Sequence, residues 1–407
     1  MKQKFAPLLV ALALLAGAAV AGPASAAEEK REAPQIDAQT GKKLNEAIEL
    51  VNGEKYGEAK AVLAGLNMEK LSPYEQSRVL QMFASIAASE ENYAEAAKRL
   101  EAAIATGGMN DDEIGNARYS IAQMYMVQEK WAEGVEALKQ WFAITPEPNS
   151  GAYYLLAIGY YRMDNHRGAL EPAQKAVDMA EKPQANWVEL LLALRLELED
   201  YDKAVPLLKY LVQSAPDKRN NWMQLIAVYR QLERYEEALA AAQVAYMAGH
   251  IQSASDLQSL ADLQAFTGVP YRAAKLLEKE IQADRIKPDT KIWEKVSNMW
   301  IAGRDYDKAL PPLSKAAAAN TSGDLYVRIA ELELRNEDWK AAEAALRQAF
   351  AKGNLKDPGN TQLLLGIALF SQNETKQARQ AFEKAAQFPK TSQQARSWIA
   401  HIDSKQS

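Results

Sequence analysis

Residues 221–238 read NWMQLIAVYRQLERYEEA. Trp222, Leu225, Ile226 and Tyr229 fall at i, i+3, i+4 and i+7, which places them on one face of a helix. Glu233-Arg234 then makes a turn, Tyr235 opens a second helix, and Ala238, Ala242 and Ala245 line its inner stripe. Small residues at these places let two helices approach closely. A larger side chain there would cost about 1–3 kcal/mol by overpacking.

The second half of this window recurs along the chain. An aromatic residue, two variable residues and a small residue appear at Tyr56/Ala59, Tyr93/Ala96, Trp131/Gly134, Tyr201/Ala204, Tyr235/Ala238, Tyr271/Ala274, Tyr306/Ala309 and Trp339/Ala342. His166/Ala169 and Thr375/Ala378 complete the series, with successive first members 33 to 38 residues apart. A fixed period of this size is produced by stacking one supersecondary unit many times. No window shows the strict alternation of a half-buried strand, so the expected class is all-α. The pattern runs over 41–390, and Ser392 to Asp403 reads as one more helix that caps the array, within a terminal segment 391–407.

The N-terminal stretch is of a different kind. Lys2 and Lys4 precede an apolar run from Leu8 to Val20, and Ala24-Ser25-Ala26 supplies a small-residue cleavage pattern. Residues 1–26 therefore read as a cleavable signal peptide, since an apolar run of about 13 residues falls short of the roughly 20 that span a bilayer. Residues 27–40 are charged, contain Pro34, and read as a flexible lead-in. The chain has no cysteine, which excludes disulfides and a lipid anchor on cysteine; export without thiols suits a bacterial periplasm. The whole chain carries 48 basic and 53 acidic residues, a net charge of −5, which becomes −7 when Lys2 and Lys4 leave with the signal. Such a balance speaks against nucleic acid or an anionic membrane as partner. No membrane insertion is expected after cleavage.

Residues able to do chemistry are sparse. The three histidines, His166, His250 and His401, are far apart, and His166 fills the aromatic slot of its unit, where packing explains it. No His or Cys spacing suits zinc, and no phosphate loop, dinucleotide fingerprint or nucleophile elbow is present. Met109-Asn110-Asp111-Asp112-Glu113 lacks the alternating spacing of a calcium loop; its acids read as the first turn of a helix, where the dipole favours them. Asn116, Asn186 and Asn220 recur at one repeat position and read as helix caps. No catalytic residue, cofactor or metal is expected. A cell-wall glycan hydrolase, also compatible with a helical solenoid, would need a further domain that the repeats leave no room for.

The units resemble the tetratricopeptide repeat. The fourth carries Tyr153, Leu156, Ala157, Tyr160, Ala169 and Ala176; the eighth Trp293, Val296, Ser297, Trp300, Tyr306, Ala309 and Ala316; the tenth Leu365, Gly366, Ala378, Phe382 and Ala385. Pro146, Pro216, Pro358 and Pro389 stand where second helices should stop. The first unit is degenerate, with Glu46 at a Leu position, and the seventh is off register by about one residue near Gly268-Val269-Pro270. Armadillo-type repeats run longer and lack this placement of alanine. The resemblance implies a right-handed superhelical α-solenoid of about ten helix-turn-helix units.

It also implies a binding groove lined by first helices. Mapped onto this chain, the groove positions are Tyr119, Gln123 and Met126; Tyr154, Ile158, Tyr161 and Arg162; Glu189 and Ala193; and Met223 with Arg230. Tyr, Met and Arg are enriched at interfaces. The cationic clamp by which some relatives hold a terminal carboxylate is absent, since its positions carry Gln81, Ser85, Tyr119, Gln123, Tyr154 and Ile158.

The layout as a whole, with the signal ending in Ala24-Ser25-Ala26, no cysteine, and the run from Tyr154 to Tyr161, is similar to exported tetratricopeptide proteins associated with the TonB–ExbB–ExbD systems of Gram-negative bacteria. That resemblance implies a non-enzymatic periplasmic scaffold that binds periplasmic domains of such a complex. The alternative is an adaptor in cell-wall synthesis or outer-membrane biogenesis.

Overall fold

The computed structural model describes residues 35–406. The proposed signal segment and most of the charged lead-in lie outside the described residues. Among those described there are twenty-one α-helices, a short 3-10 turn at Met68–Lys70 and no strand. The helices form ten consecutive pairs: α1 (Ala38–Asn52) with α2 (Tyr56–Ala64), α3 (Pro73–Ser89) with α4 (Tyr93–Ala105), α5 (Asp111–Val127) with α6 (Trp131–Ile144), α7 (Ser150–Arg162) with α8 (His166–Asp178), and α9 (Ala185–Glu197) with α10 (Tyr201–Ser214). Then come α11 (Arg219–Gln231) with α12 (Tyr235–Met247), α13 (Ala254–Phe266) with α14 (Pro270–Gln282), α15 (Thr290–Ala302) with α16 (Tyr306–Ala319), α17 (Asp324–Arg335) with α18 (Trp339–Lys352), and α19 (Pro358–Ser371) with α20 (Thr375–Ala385). A last helix, α21 (Ser392–Gln406), follows. The expected all-α class, built from stacked helix pairs, is the class observed. The chain divides into two compact units at Leu207/Leu208, within α10. No described helix is long and apolar enough to cross a membrane.

The turn inside each pair is the same device ten times over. After Gln231, the Glu233 amide donates to the Arg230 carbonyl at 3.1 Å and the Arg234 amide to the Tyr229 carbonyl at 2.8 Å. These two bonds satisfy carbonyls that the helix end would otherwise orphan. They require one residue at positive φ. That residue is Glu54, Glu91, Glu129, Asp164, Glu199, Glu233, Gly268, Arg304, Glu337 or Asn373, so nine of the ten are not glycine. A side chain in this conformation costs roughly 1–2 kcal/mol, a cost that the paired bonds and the packing of the two helices offset.

Packing inside each pair rests on small residues. The fourth residue of the second helix is Ala59, Ala96, Gly134, Ala169, Ala204, Ala238, Ala273, Ala309, Ala342 or Ala378, and every one is buried. The facing position of the first helix is also small in eight pairs: Ala47, Ala84, Ala122, Ala157, Ala261, Ser297, Ala330 and Gly366. The first unit does depart from the pattern, since Glu46 is exposed while Leu44 and Ala47 are buried.

Two expectations need correction here. In the seventh pair the helix opens at Pro270, so Pro270 and Ala273 fill the slots that spacing alone assigned to Tyr271 and Ala274. Tyr271 is left substantially exposed. This shift brings Glu280 to a position where Ala103, Ala176, Ala245, Ala316, Ala349 and Ala385 stand in other pairs. Glu280 is fully buried, accepts a hydrogen bond from the Tyr246 hydroxyl at 2.5 Å and pairs with Arg285. A buried carboxylate needs such partners. Second, Pro358 does not stop a helix. It is the first residue of α19, a place where its missing N–H costs nothing.

The N-terminal edge is held by one carboxylate. α1 begins at Ala38, earlier than the lead-in was expected to end, capped by Asp37 whose side chain accepts from the Gln39 amide at 2.9 Å. Glu75, 6% exposed, accepts from the Asp37 amide at 2.9 Å with one oxygen. Its other oxygen accepts from the Ser72 amide at 2.9 Å and the Ser72 hydroxyl at 2.8 Å. The backbone amides of Ser72 and Asp37 hold its carboxyl below the ordinary value, outweighing burial. A depressed folded-state value means stability that is present above the unfolded value and lost as pH falls through the folded one.

Two predictions follow from this geometry. A Cβ on Gly366 would lie 2.4 Å from the Phe382 ring, whereas one on Gly57 meets nothing within 4 Å. Gly366→Ala should therefore lower stability by about 1–3 kcal/mol and Gly57→Ala should not, as read from urea unfolding midpoints of the two variants. For Glu75→Gln, unfolding at pH 7 should show a loss of about 1–2 kcal/mol. The difference from wild type should shrink as pH falls below the ordinary glutamate value of about 4.3 and vanish only below the depressed folded-state value; a loss that persisted unchanged in acid would mean the charge plays no part.

Candidate functional site

The groove positions are set by the repeat. Counting back from the start of each second helix, they recur on the first helix at three places about a turn or two apart. In the first compact unit these are Tyr119, Gln123 and Met126 on α5, Tyr154, Ile158 and Tyr161 on α7, and Glu189 with Ala193 on α9. In the second unit the sixth pair contributes Met223 and Arg230 on α11, with Ala227 between them.

Two of the expected groove residues belong to the packing instead. Met126 is buried, with its sulfur and methyl group lodged where Gly134 and Gly159 lack side chains; a Cβ on Gly134 would meet the sulfur at 2.9 Å. Tyr154 is 7% exposed and stacks on Trp187 with ring centroids 5.3 Å apart. Its hydroxyl accepts a hydrogen bond from Asn186 at 3.0 Å. Burial pushes the Tyr154 hydroxyl's pKa up, with the Asn186 bond opposing in part. Both residues are enclosed because neighbouring pairs close over them.

The rest of that face is half-buried or open. Tyr119 is half-buried, 5.0 Å from the Trp141 ring, at one end of an aromatic series that continues through Phe142 to Tyr153. Burial raises the Tyr119 hydroxyl's pKa, offset in part by a hydrogen bond with Gln123. Gln123, Ile158 and Tyr161 are half-buried, and Tyr161 lies 5.4 Å from the His166 ring. Arg162 and Glu189 are exposed, with the Arg162 guanidinium 5.5 Å over Trp131. This face offers a cation, an anion and amide and phenol groups above a largely filled aromatic layer.

The three asparagines expected to cap helices do not. Asn116 lies inside α5, whose cap is Asn110 in a reciprocal capping box with Glu113. Asn186 is the second residue of α9 and holds Tyr154. Asn220 is the second residue of α11, which has no side-chain cap. Asp111, Asp112 and Glu113 do occupy the first turn of α5. Among the described residues no group of three or more His, Cys, Asp or Glu side chains could hold a metal ion.

In the second unit a cavity of about 250 Å³ lies between the sixth pair and α13. Met223, Ile226, Ala227, Ala242, Leu260 and Leu263 supply its apolar wall, and Arg230, Asp256 and Ser259 its polar part. The eighth residue of the second helix is leucine in seven pairs (Leu63, Leu100, Leu138, Leu208, Leu277, Leu313, Leu346) and Phe382 in the tenth, but alanine in the fourth (Ala173) and here, where Ala242 lines the cavity. Sequence reasoning placed Met223 and Arg230 on this face but missed the cavity between them. Aligning the chain's own units on that position marks Ala173 and Ala242 alike, so the sequence signal alone does not single out the cavity.

The repeat and its turns define the class of protein. The tetratricopeptide repeat profile matches residues 82–147, 191–255 and 327–394. The chain is a tetratricopeptide repeat protein. Among solved structures it is similar to a tetratricopeptide repeat protein from Parabacteroides merdae, with 14% identity over 73% of this chain and 100% of the other, at a TM-score of 0.38. It is also similar to YrrB, a TPR protein with an unusual peptide-binding site, at 18% identity over 41% of this chain and 83% of that one, TM-score 0.35. A third is MamA, at 17% identity over 42% and 90%, TM-score 0.33. No curated protein matches the sequence.

The two kinds of groove residue should separate in mutation. Tyr154→Ala should cost about 3–5 kcal/mol, the loss for truncating a buried aromatic. Arg162→Ala should stay within about 0.5 kcal/mol, as surface changes do. Thermal unfolding of the two variants checks this; similar losses would mean that Arg162 is structural.

Proposed function

We propose that this chain is a periplasmic scaffold that binds a protein segment along its first-helix faces, as an accessory component of a TonB-dependent energy-transduction and uptake system. One observation carries the binding part. Within each pair the apolar stripe is spent on packing, and on α5, α7 and α9 of the first compact unit the first-helix face carries polar and charged groups at repeating intervals: Gln123 and Tyr161, half-buried, and Arg162 and Glu189, exposed. A row of this kind reads an extended or helical segment residue by residue. The periplasmic location rests on the signal-like residues 1–26 and the absence of cysteine. The system rests on the resemblance of the layout to exported tetratricopeptide proteins of that group.

The test is capture from Gram-negative envelope extract on the immobilised full-length chain lacking residues 1–26. The control is Arg162→Glu/Glu189→Lys, which exchanges two exposed charges and leaves the net charge unchanged. Recovery of a TonB, ExbB or ExbD component on wild type, reduced at least about tenfold on the variant, is the expected result. Recovery of cell-wall or outer-membrane assembly proteins instead would overturn the assignment to energy transduction in favour of an assembly adaptor. Equal recovery on both baits would remove the binding face from α7 and α9.

A further inference from the structure

The cavity on α11 deepens the scaffold reading, on which this inference rests, by defining the chemistry of the segment bound. We infer that it takes one large apolar side chain of an extended partner segment, and that Arg230 pairs with an acidic side chain two residues away in the same segment.

Size selects the apolar half. Drug-sized ligands and cofactors occupy about 300–1,000 Å³, above the 250 Å³ found here. An apolar cavity of about 150 Å³ already holds a benzene ring, so one leucine- or phenylalanine-sized group fits. The wall is chemically matched: Met223, Ile226, Ala227, Ala242, Leu260 and Leu263 present carbon and one thioether. Methionine adapts its shape to such a guest. Ala242, where seven other pairs carry leucine, lines the space together with Ile226 on the facing helix.

Charge selects the acidic half. Asp256 also borders the cavity, but it is committed: Arg219 donates to it at 2.7 Å, and the Ser253 hydroxyl caps the same helix end. Arg230 is exposed, and no described residue forms an ion pair with it. With Asp256 and Arg219 cancelling, the rim carries one net positive charge. Arg230 lies two helical turns from Met223, about 10 Å along α11. An extended segment presents residues i and i+2 on one side, about 7 Å apart, and the arginine stem spans the remainder. A single guanidinium beside an open rim suits a side-chain carboxylate; the cluster of cations that a chain terminus would need is absent from these lining residues.

The experiment uses the full-length chain without residues 1–26, its methionines labelled with ¹³C at the methyl group and the Met223 signal assigned through Met223→Leu. The probes are N-acetylated, C-amidated octapeptides with a central Leu-Ser-Glu in a Gly/Ser background, compared with Ala-Ser-Glu and Leu-Ser-Gln. A fourth probe ends in Leu with a free carboxylate. The expected result is a saturable shift of the Met223 methyl by Leu-Ser-Glu, with at least tenfold weaker binding for either substituted probe. Arg230→Glu should weaken it at least tenfold. Ala242→Leu, which places there the residue of seven other pairs and fills the space, should abolish it while the helical circular dichroism stays that of wild type.

No shift at Met223 with any probe would overturn the inference, as would equal binding of Leu-Ser-Gln. A preference for the free carboxylate would assign the site to a chain terminus and overturn the internal-segment form. The scaffold reading fails separately: it stands if envelope capture survives Arg230→Glu and is lost with the Arg162/Glu189 exchange, and falls if neither variant changes capture.

Discussion

Small side chains meet where the two helices of a pair pack together. Ala or Gly at the fourth residue of every second helix is buried, and in eight pairs the facing residue is Ala, Ser or Gly. Backbones drawn this near make dense van der Waals contact and leave little room for error. Everything else is subordinate to that approach. The turn must be short, so it takes a residue of positive φ even when that residue is glutamate. The remaining face of the first helix is only partly drawn into packing: Met126 and Tyr154 are enclosed, while Arg162, Glu189 and Arg230 are exposed.

Against a frame this regular, departures carry information. The tenth pair sets Gly366 under Phe382, a large and a small residue exchanging volume across the joint. The sixth does the reverse with Ile226 and Ala242, and there the exchange is incomplete, leaving a cavity. The seventh begins one residue early at Pro270 and puts Glu280 where alanine belongs, so Tyr246 and Arg285 must satisfy a buried carboxylate. Breaking such a network by removing one partner is far costlier than its net contribution. The cavity differs from the other two in leaving space unfilled, and it adjoins Arg230, exposed on α11. Its position on a first helix, among groove positions, is what gives it a functional reading.

Electrostatics divides the same way. Carboxylates such as Glu75 and Asp256 are tied to backbone amides or arginine and shifted accordingly. They orient helix ends. Arg162, Glu189 and Arg230 sit on exposed turns of first helices, where an ion pair with a partner would add modest affinity but strong discrimination of charge pattern.

How much of this was legible beforehand differs by level. The all-α class, the pairs, the second-helix starts and the one-residue slip near Gly268 follow from the sequence, because each is encoded within about thirty consecutive residues by spacing and by small side chains. The acids at the start of α5 were legible for the same reason. Burial between pairs was not. Tyr154 and Met126 occupy groove positions by count, yet Trp187 and the side-chain-free Gly134 and Gly159 draw them inside. Asn186 looks like a cap and instead holds a tyrosine thirty-two residues away. Proline ends helices near 146, 216 and 389, but Pro172, Pro206, Pro311 and Pro312 lie within helices, where surrounding packing outweighs the lost bond. Local periodicity by itself determined which residues form each helix and which face turns inward. Only the tertiary structure decided which outward residues stay open and where volume is missing, because both depend on the side chains that the next pair brings against them.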